Sequence, residues 1–503
     1  MAHTNPPSHS VNALRLTPYP LPHNLNSRAM SSLHYSSIAQ VASLLRTKKI
    51  SPAELAEAHL SRISALQPKL NAFVHLDADA ALVTATKLSS NNDADAPLHG
   101  IPLTVKSCLE VAGWPVPSGS LLRAKEISDR TAPIVQRLRD AGAILLGSTN
   151  TPEFLMAYET DNRITGRTSN PWNPAYSSGG SSGGEAAAIA AGCSFGGIGS
   201  DGGGSIRVPA HFCGICGLKP TPGRIPATGH IPPGNSSFGW IGVVGPMART
   251  TADLRILFNV LAGPDSGDPF SVPAPIQETS AARLRNLRIG ILDSSAAGPA
   301  NPESLAAVQR AAKLLEQSGF HVEPFQLHSL DRALELWWYF FGTVIAQLFA
   351  QQVEGKESQL SLIFLDYLEA AREETPISML DFVTKSTARD SERARILSAM
   401  EEVPILLSPV SSAPAFRHGE GNWRSGPGKG PSEKIGGYRQ TMRHSQWLNL
   451  AGLPGLSVPI STSSEGLPIS VQLIGRPLEE ELLLSIAEAL EQARGPWQSP
   501  PLP

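Results

Sequence analysis

A chain of 503 residues that is 41% apolar and 17% charged has enough apolar side chain to bury a large core. A net charge of −3 without a dense Lys/Arg cluster leaves no electrostatic footprint for nucleic acid. Four cysteines, Cys108, Cys193, Cys213 and Cys216, are too few for a disulfide framework and point to a reducing, cytoplasmic setting.

Residues 1–32 are rich in Pro, Ser and Asn, lack hydrophobic periodicity and hold no secretory apolar core, so a disordered tail is expected there. The first acidic residue is Glu54. An acid-poor, Ser-rich start with Arg15 and Arg28 faintly resembles a mitochondrial leader, but its prolines oppose an amphipathic helix. Helical spacing runs over 38–45 and 52–66, and the second helix is announced by Ser51, Pro52 and Glu54 as N-cap, N1 and capping-box partner. HGIPLTVK at 99–106 reads as a strand that ends on Lys106. On spacing alone that lysine belongs on the surface.

A helix over 131–141 and a strand over 143–146 make an α/β unit, and a strand over 287–292, a helix over 302–318 and a strand over 320–325 make another. Residues 209–215 pack tightly, 220–233 form a proline-punctuated loop, and 251–261 form a helix. Residues 326–400 are helix-rich. Their apolar run LWWYFFGTVIA at 336–346, bounded by Glu335 and Gln347, is too short to span a membrane and fits a buried helix or a pocket wall. A long polar loop occupies 415–437. Strands over 456–459 and 469–474 and a helix over 479–493 close the chain, and no internal repeat is present.

The most constrained stretch is GGSSGGEAAAIAAGCSFGGIGSDGGGSIR at 179–207. Two glycine–serine clusters flank a helix over 185–191 and a buried strand over 193–199. Gly/Ser-rich sequence is usually a flexible linker, but linkers do not alternate with packed elements. Serines among glycines are hydroxyls that a ligand can approach closely.

Four chemistries compete for these serines. The G-x-S-x-G elbow fits frames centred on Ser181 and on Ser182, yet no hydrophobic strand precedes it, and neither His418 nor His444 has a distinctive setting. Zinc-deaminase pieces, His418 with Glu420 and Cys213 with Cys216, come in the wrong order, so no metal is expected. Gly197, Gly199 and Gly202 match G-x-G-x-x-G but run into more glycine instead of opening a long helix. The fourth is a nucleophilic serine served by a lysine through a bridging serine.

Lys106, GGSSGGE at 179–185 and GSDGGGSIRVPA at 199–210 together resemble the amidase signature family of serine hydrolases, and three separated motifs agree in order. GSTNTPEF at 147–154, CGICGLKPT at 213–221, GPMAR at 245–249 and NLAGLPGLSVP at 449–459 extend the resemblance over roughly residues 36–494. It implies an α/β fold, a large mixed β-sheet flanked by helices on both faces, in one domain over 33–498 with a variable helical pocket region at about 326–440. It implies Ser205 as nucleophile, Ser181 as a bridging serine held by a cis peptide, and Lys106 as base. The amides of Gly202, Gly203, Gly204 and Ser205 would form the oxyanion hole, and Ser182, Asp201 and Arg207 would hold the loops. Such a lysine must be buried, because only desolvation brings it into the neutral form near pH 7. No cofactor is implied.

The expected reaction is hydrolysis of a small-molecule carboxylic amide. The family also contains the A-type chain of the glutamine-dependent tRNA amidotransferase, in which an acidic residue soon after the tyrosine equivalent to Tyr438 holds the substrate's amino group. Residues 438–447 contain no acid, and a cationic amino group would meet Arg439 and Arg443, which favours a stand-alone amidase. Both arginines also fit solvated surface charges. The aromatics at 337–341 suggest an apolar or aromatic pocket. A homodimer and a non-catalytic scaffold with this fold are compatible with the sequence.

Overall fold

The computed structural model describes residues 33–90, 96–233, 239, 241–292, 294–327, 330–372, 377–423 and 437–502. The expected tail and most of the expected polar loop lie outside them.

The described residues form a mixed sheet of eleven strands: β1 (Phe73–Leu76), β2 (Pro102–Lys106), β3 (Ile144–Thr149), β4 (Gly196–Asp201), β5 (Cys216–Lys219), β6 (Val243–Ala248), β7 (Arg288–Leu292), β8 (His321–Phe325), β9 (Ile405–Pro409), β10 (Gly455–Thr462) and β11 (Pro468–Ile474). Their order across the sheet is β1-β3-β2-β4-β6-β5-β10-β11-β9-β7-β8. β2 pairs in parallel with β3 and β4, and β7 with β8 and β9, while the pairs from β4 through β6, β5, β10 and β11 to β9 are antiparallel.

Alternation along β3 sends its side chains to two of the three hydrophobic clusters. Leu145 points to one hydrophobic cluster, with the helices Pro133–Asp140, Thr251–Leu261, Pro302–Gln317 and Glu480–Arg494. Ile144 and Leu146 point to the other side, with Pro52–Leu70 and Gly183–Ala190. Central strands are covered on both faces, which is why β2 and β3 are buried along their whole length.

The capping box of the second helix forms as read, with Ser51 Oγ accepting from the Glu54 amide at 3.2 Å and the Glu54 carboxylate accepting from the Ser51 amide at 2.8 Å. Other boundaries differ. The strand expected at 193–199 begins three residues later as β4, because Cys193 and Ser194 are used in the turn that leaves the preceding helix. Residues 209–215 belong largely to a helix, Arg207–Cys213, ended by Gly214 in the left-handed conformation.

The apolar run at 336–346 is part of a longer helix, Asp331–Val353, with π geometry over Tyr339–Val344. Its 23 residues are long and apolar enough to cross a membrane by length and composition, although the apolar run at 336–346 is by itself too short. Its most apolar window is 72% buried inside the protein. It packs against Leu362–Arg372 and Arg443–Ala451 in the third hydrophobic cluster.

Candidate active site

Parallel pairing of β2 with β4 sets Thr104 opposite Gly197 and Val105 opposite Ile198. The C-terminal ends of the two strands therefore bring Lys106 and Ser200 together. Lys106 is fully buried. Its Nζ donates to Ser181 Oγ at 2.7 Å and to Ser200 Oγ at 3.0 Å. The Gly180–Ser181 peptide is cis, and two residues later the chain enters the helix Gly183–Ala190. Burial lowers the Lys106 pKa from 10.5 to about 8 against the opposing pull of Cys108, Asp201 and Glu185.

A second buried lysine lies at the end of β5. Burial, then the Arg207 charge, lower the Lys219 pKa to about 7. Its ammonium donates to the Pro220 carbonyl at 2.9 Å and to no serine hydroxyl among the described residues. Proximity to a serine, more than its shifted pKa, distinguishes Lys106.

Ser205 follows β4 and keeps 9% of its surface exposed. The Ser182 amide donates to the Ser205 carbonyl at 3.2 Å, which joins the two glycine–serine clusters. The Ser182 hydroxyl donates to the Ser200 carbonyl and accepts from the Ser200 amide, both at 3.3 Å. No hydrogen bond among the described residues links Ser205 Oγ to Ser181. Such contacts often close only when substrate arrives.

Asp201 organises the turn between β4 and Ser205. Its Oδ1 accepts from the Gly204 amide at 2.7 Å and its Oδ2 from the Ile206 amide at 3.1 Å. The Gly204 amide is thus turned inward, which corrects its expected place in an oxyanion hole. The amides of Gly202, Gly203 and Ser205 donate to no acceptor among the described residues. Gly203 admits no side chain, since a Cβ there would lie 2.4 Å from Trp337 Cζ2 and 2.8 Å from the Tyr158 hydroxyl.

Arg207 grips the same carboxylate, Nη2 to Oδ1 at 3.0 Å and Nε to Oδ2 at 3.1 Å, and both side chains are fully buried. Arg207 also donates to Gln472 Oε1 at 3.0 Å, the Ser445 carbonyl at 3.0 Å and Asn449 Oδ1 at 2.7 Å. Burial alone would raise the Asp201 pKa, but the charge and hydrogen bonds of Arg207 hold it well below the usual carboxylate range. Arg207→Ala leaves that carboxylate unpaired in the core, and an equilibrium urea titration is expected to show a loss of about 3–5 kcal/mol.

Several neighbours were not among the expected site residues, although Trp337 lies in the aromatic run at 337–341 expected to form a pocket. Glu185 accepts from the Thr104 hydroxyl and from the Thr149 hydroxyl at 2.6 Å, and burial raises its pKa to about 7. Its place in GGSSGGE was the available signal. Tyr158, Trp337 and Asn449 donate to carbonyls of the Asp201–Gly203 turn. Trp337 stacks on Phe341 with ring centroids 4.7 Å apart, within an aromatic wall that includes Trp338, Tyr367, Trp423 and Tyr438.

A cavity of about 350 Å³ opens beside that wall, lined by Trp337, Trp338, Arg439, Arg443 and Gln446 among others. The Arg439 guanidinium lies 4.3 Å from the centre of the Trp338 ring. Arg443 pairs with Asp331 and donates to the Ala297 carbonyl at 2.8 Å. Both arginines have interactions within the fold, beyond the solvated-charge reading.

The rival constellations do not assemble. Cys213 turns its thiol to the Ser178 carbonyl and Cys216 to the Arg249 carbonyl, in different hydrophobic clusters. His418 contacts the Pro174 carbonyl, and turns instead of a strand precede the first serine cluster.

An α/β sheet that buries a lysine against a cis serine, beside a glycine turn with unengaged amides, defines a narrow class of proteins. The chain belongs to the amidase family, whose model matches residues 54–484, a family that cleaves amide C–N bonds. It is 32% identical over 499 residues to the A-type chain of the glutamyl-tRNA(Gln) amidotransferase of Nitratidesulfovibrio vulgaris (strain DP4), covering 94% of this chain and 99% of that protein. Its fold is similar to a bacterial aryl acylamidase of the amidase signature enzymes, with a TM-score of 0.80 and 26% identity over 93% of this chain and 97% of the other. It is also similar to 6-aminohexanoate cyclic dimer hydrolase complexed with substrate, with a TM-score of 0.79 and 29% identity over 93% and 99%.

Proposed function

We propose that this protein cleaves a carboxylic amide through an acyl-enzyme on Ser205. The observation that carries this reading is the 2.7 Å hydrogen bond from the fully buried Lys106 ammonium to Ser181 Oγ. Neutral Lys106 takes a proton from Ser181 as Ser181 takes one from Ser205, and Ser205 Oγ attacks the amide carbon. The amides of Gly202, Gly203 and Ser205 receive the oxyanion. The proton returns along the relay to the departing amine. Water, deprotonated along the same path, then releases the acid and restores Ser205.

The aromatic wall favours a stand-alone amidase acting on an amide with an aryl or extended apolar part. A second reading, the A-type chain of a glutamine-dependent amidotransferase, has the stronger support from the names of the curated relatives, and would bring a protein partner. Against it, residues 438–447 carry no acid; the cavity beside them is bordered by Arg439 and Arg443 and also by Asp331 and Glu335. The buried carboxyl behind Tyr438 is Glu159, whose oxygens accept from Tyr438 Oη and the Gly419 amide, each at 3.2 Å. Burial raises its pKa, which weakens it as a partner for an ammonium group.

Steady-state hydrolysis of para-nitroacetanilide, acetamide and glutamine separates the readings. The aryl amide is expected to exceed both others in kcat/KM by about tenfold or more, the discrimination that one well-filled apolar pocket supplies. Preference for glutamine would favour the amidotransferase reading, and equal use of acetamide would remove the aromatic pocket.

A further inference from the structure

Glycines at 202, 203 and 204 remove the side chains that would stiffen the turn before Ser205. Yet an oxyanion hole must be preorganised, because donors that have to be turned into place cost free energy at the moment of reaction. The carbonyls of the turn show where the order comes from. Asn449 Nδ2 donates to the Asp201 carbonyl at 2.8 Å, Trp337 Nε1 to the Gly202 carbonyl at 2.9 Å, and the Tyr158 hydroxyl to the Gly203 carbonyl at 2.7 Å. Each is a neutral, buried donor on a different segment of the chain.

A trans peptide is planar, with its C=O and the following N–H pointing in opposite directions. Holding the Asp201 carbonyl therefore aims the Gly202 amide away from Asn449, and holding the Gly202 carbonyl aims the Gly203 amide away from Trp337. The next peptide is held at both ends, its carbonyl by Tyr158 and its Gly204 amide by Asp201. Flipping any one of these units would leave a buried donor without its acceptor.

We propose that Trp337, Tyr158 and Asn449 are positioning residues that lock the oxyanion turn by its carbonyls, leaving the Gly202 and Gly203 amides aimed at the acyl oxygen. The proposal rests on Ser205 being the nucleophile. The Trp337 indole also lines the 350 Å³ cavity, whose lining includes none of Lys106, Ser181 and Ser205. Gln446 supports the arrangement from the other side, its Nε2 donating to the Tyr158 hydroxyl at 3.3 Å.

Trp337→Phe and Tyr158→Phe remove the donors while keeping rings in place. The full chain is treated with a fluorophosphonate, whose attack on serine also builds negative charge on an oxygen in the hole. The second-order rate constant is followed from mildly acidic to alkaline pH, with the labelled residue mapped by mass spectrometry. Each variant is expected to label at Ser205 with a plateau rate about 10- to 100-fold below wild type, somewhat less than outright loss of an oxyanion donor. The midpoint of the pH profile should not move, since Lys106 is untouched, and thermal unfolding should stay close to wild type.

Labelling of both variants within about twofold of the wild-type rate would overturn the clamp alone, because a lost positioning donor costs more than that. A midpoint that moves together with the rate would also overturn it, because the lesion would then lie in the proton relay. Wild-type protein that does not label at Ser205 would overturn the clamp together with the nucleophile beneath it. Tyr158→Phe removes one oxygen atom, and it carries the test by itself if Trp337→Phe does not fold.

Discussion

Ser205→Ala is expected to lower kcat for a nitrophenyl ester or anilide by about 10⁴-fold or more with KM little changed, as loss of a nucleophile does in enzymes whose catalytic groups act as a unit. Ser205 is the hydroxyl that follows the turn of unengaged amides, and it retains surface exposure where Lys106 retains none. Alanine keeps the backbone, including the Ser205 carbonyl that accepts from Ser182, so binding should survive. Stopped-assay kinetics on purified wild type and variant check this. A residual rate above one hundredth of wild type would mean that another residue attacks the carbonyl. Ser182, which exchanges hydrogen bonds with the backbone of Ser200, would be the first alternative to examine.

Lys106→Met is the second large effect. A general base contributes about 10²- to 10⁴-fold, and methionine fills a similar volume without a basic nitrogen. The sign of the pH dependence follows from the direction of the shift. Burial lowers the Lys106 pKa to about 8, and the active form of a base is the neutral one. Wild-type kcat/KM should therefore be low at acidic pH, rise through about pH 8 and level off above it. At pH 7 about a tenth of such a lysine is neutral, roughly 300 times the neutral fraction of an unperturbed one.

The groups close enough to affect this titration are Cys108, Asp201 and Glu185, each of which favours the cation. His230 feels the Lys106 charge and is itself held neutral, its pKa lowered by burial to about 3. Glu185 titrates near 7, so an additional shallow inflection below the main one is consistent with the cluster. In Lys106→Met the rise through pH 8 should disappear. If it persisted at wild-type amplitude, Lys219, with a pKa near 7, would have to be reconsidered as the base.

Much of the centre was legible because its parts are local in sequence. The capping box at Ser51 and Glu54, the strand that ends on Lys106 and the helix between the two glycine–serine clusters are each specified within a few residues. Once strands of that kind pair in parallel, their C-terminal ends converge and bring Lys106 to Ser200, and Ser181 meets Lys106 from the loop before the helix Gly183–Ala190. The strands read at 143–146, 287–292, 320–325, 456–459 and 469–474 are present as β3, β7, β8, β10 and β11, but some others were harder to read. β5 and β6, CGLK and VVGPMA, carry too few alternating side chains to show a period of two, and they exist because each is paired on both edges. The apolar run at 336–346 indicated a buried helix but not its length, since the π geometry carries the helix through the aromatics without ending it.

Gly204 illustrates the limit most clearly. Glycines in a row allow several amides to converge, but which one turns inward is decided by Asp201, itself aimed by Arg207. Arg207 in turn is held by Gln472, Ser445 and Asn449, more than two hundred residues away. The carbonyl donors Trp337 and Tyr158 are non-local in the same sense. Their sequence neighbourhoods show hydrophobic aromatics, and only the fold shows which one has an N–H or O–H facing the turn.

The most direct test of the serine relay is to map the fluorophosphonate adduct on intact and digested protein for wild type, Ser205→Ala, Ser181→Ala and Lys106→Ala. One adduct on Ser205 is expected, absent in Ser205→Ala and formed much more slowly in the other two. An adduct on Ser181 or Ser182, or no adduct on folded wild-type protein, would contradict the assignment of Ser205 as the nucleophile served by Lys106 through Ser181.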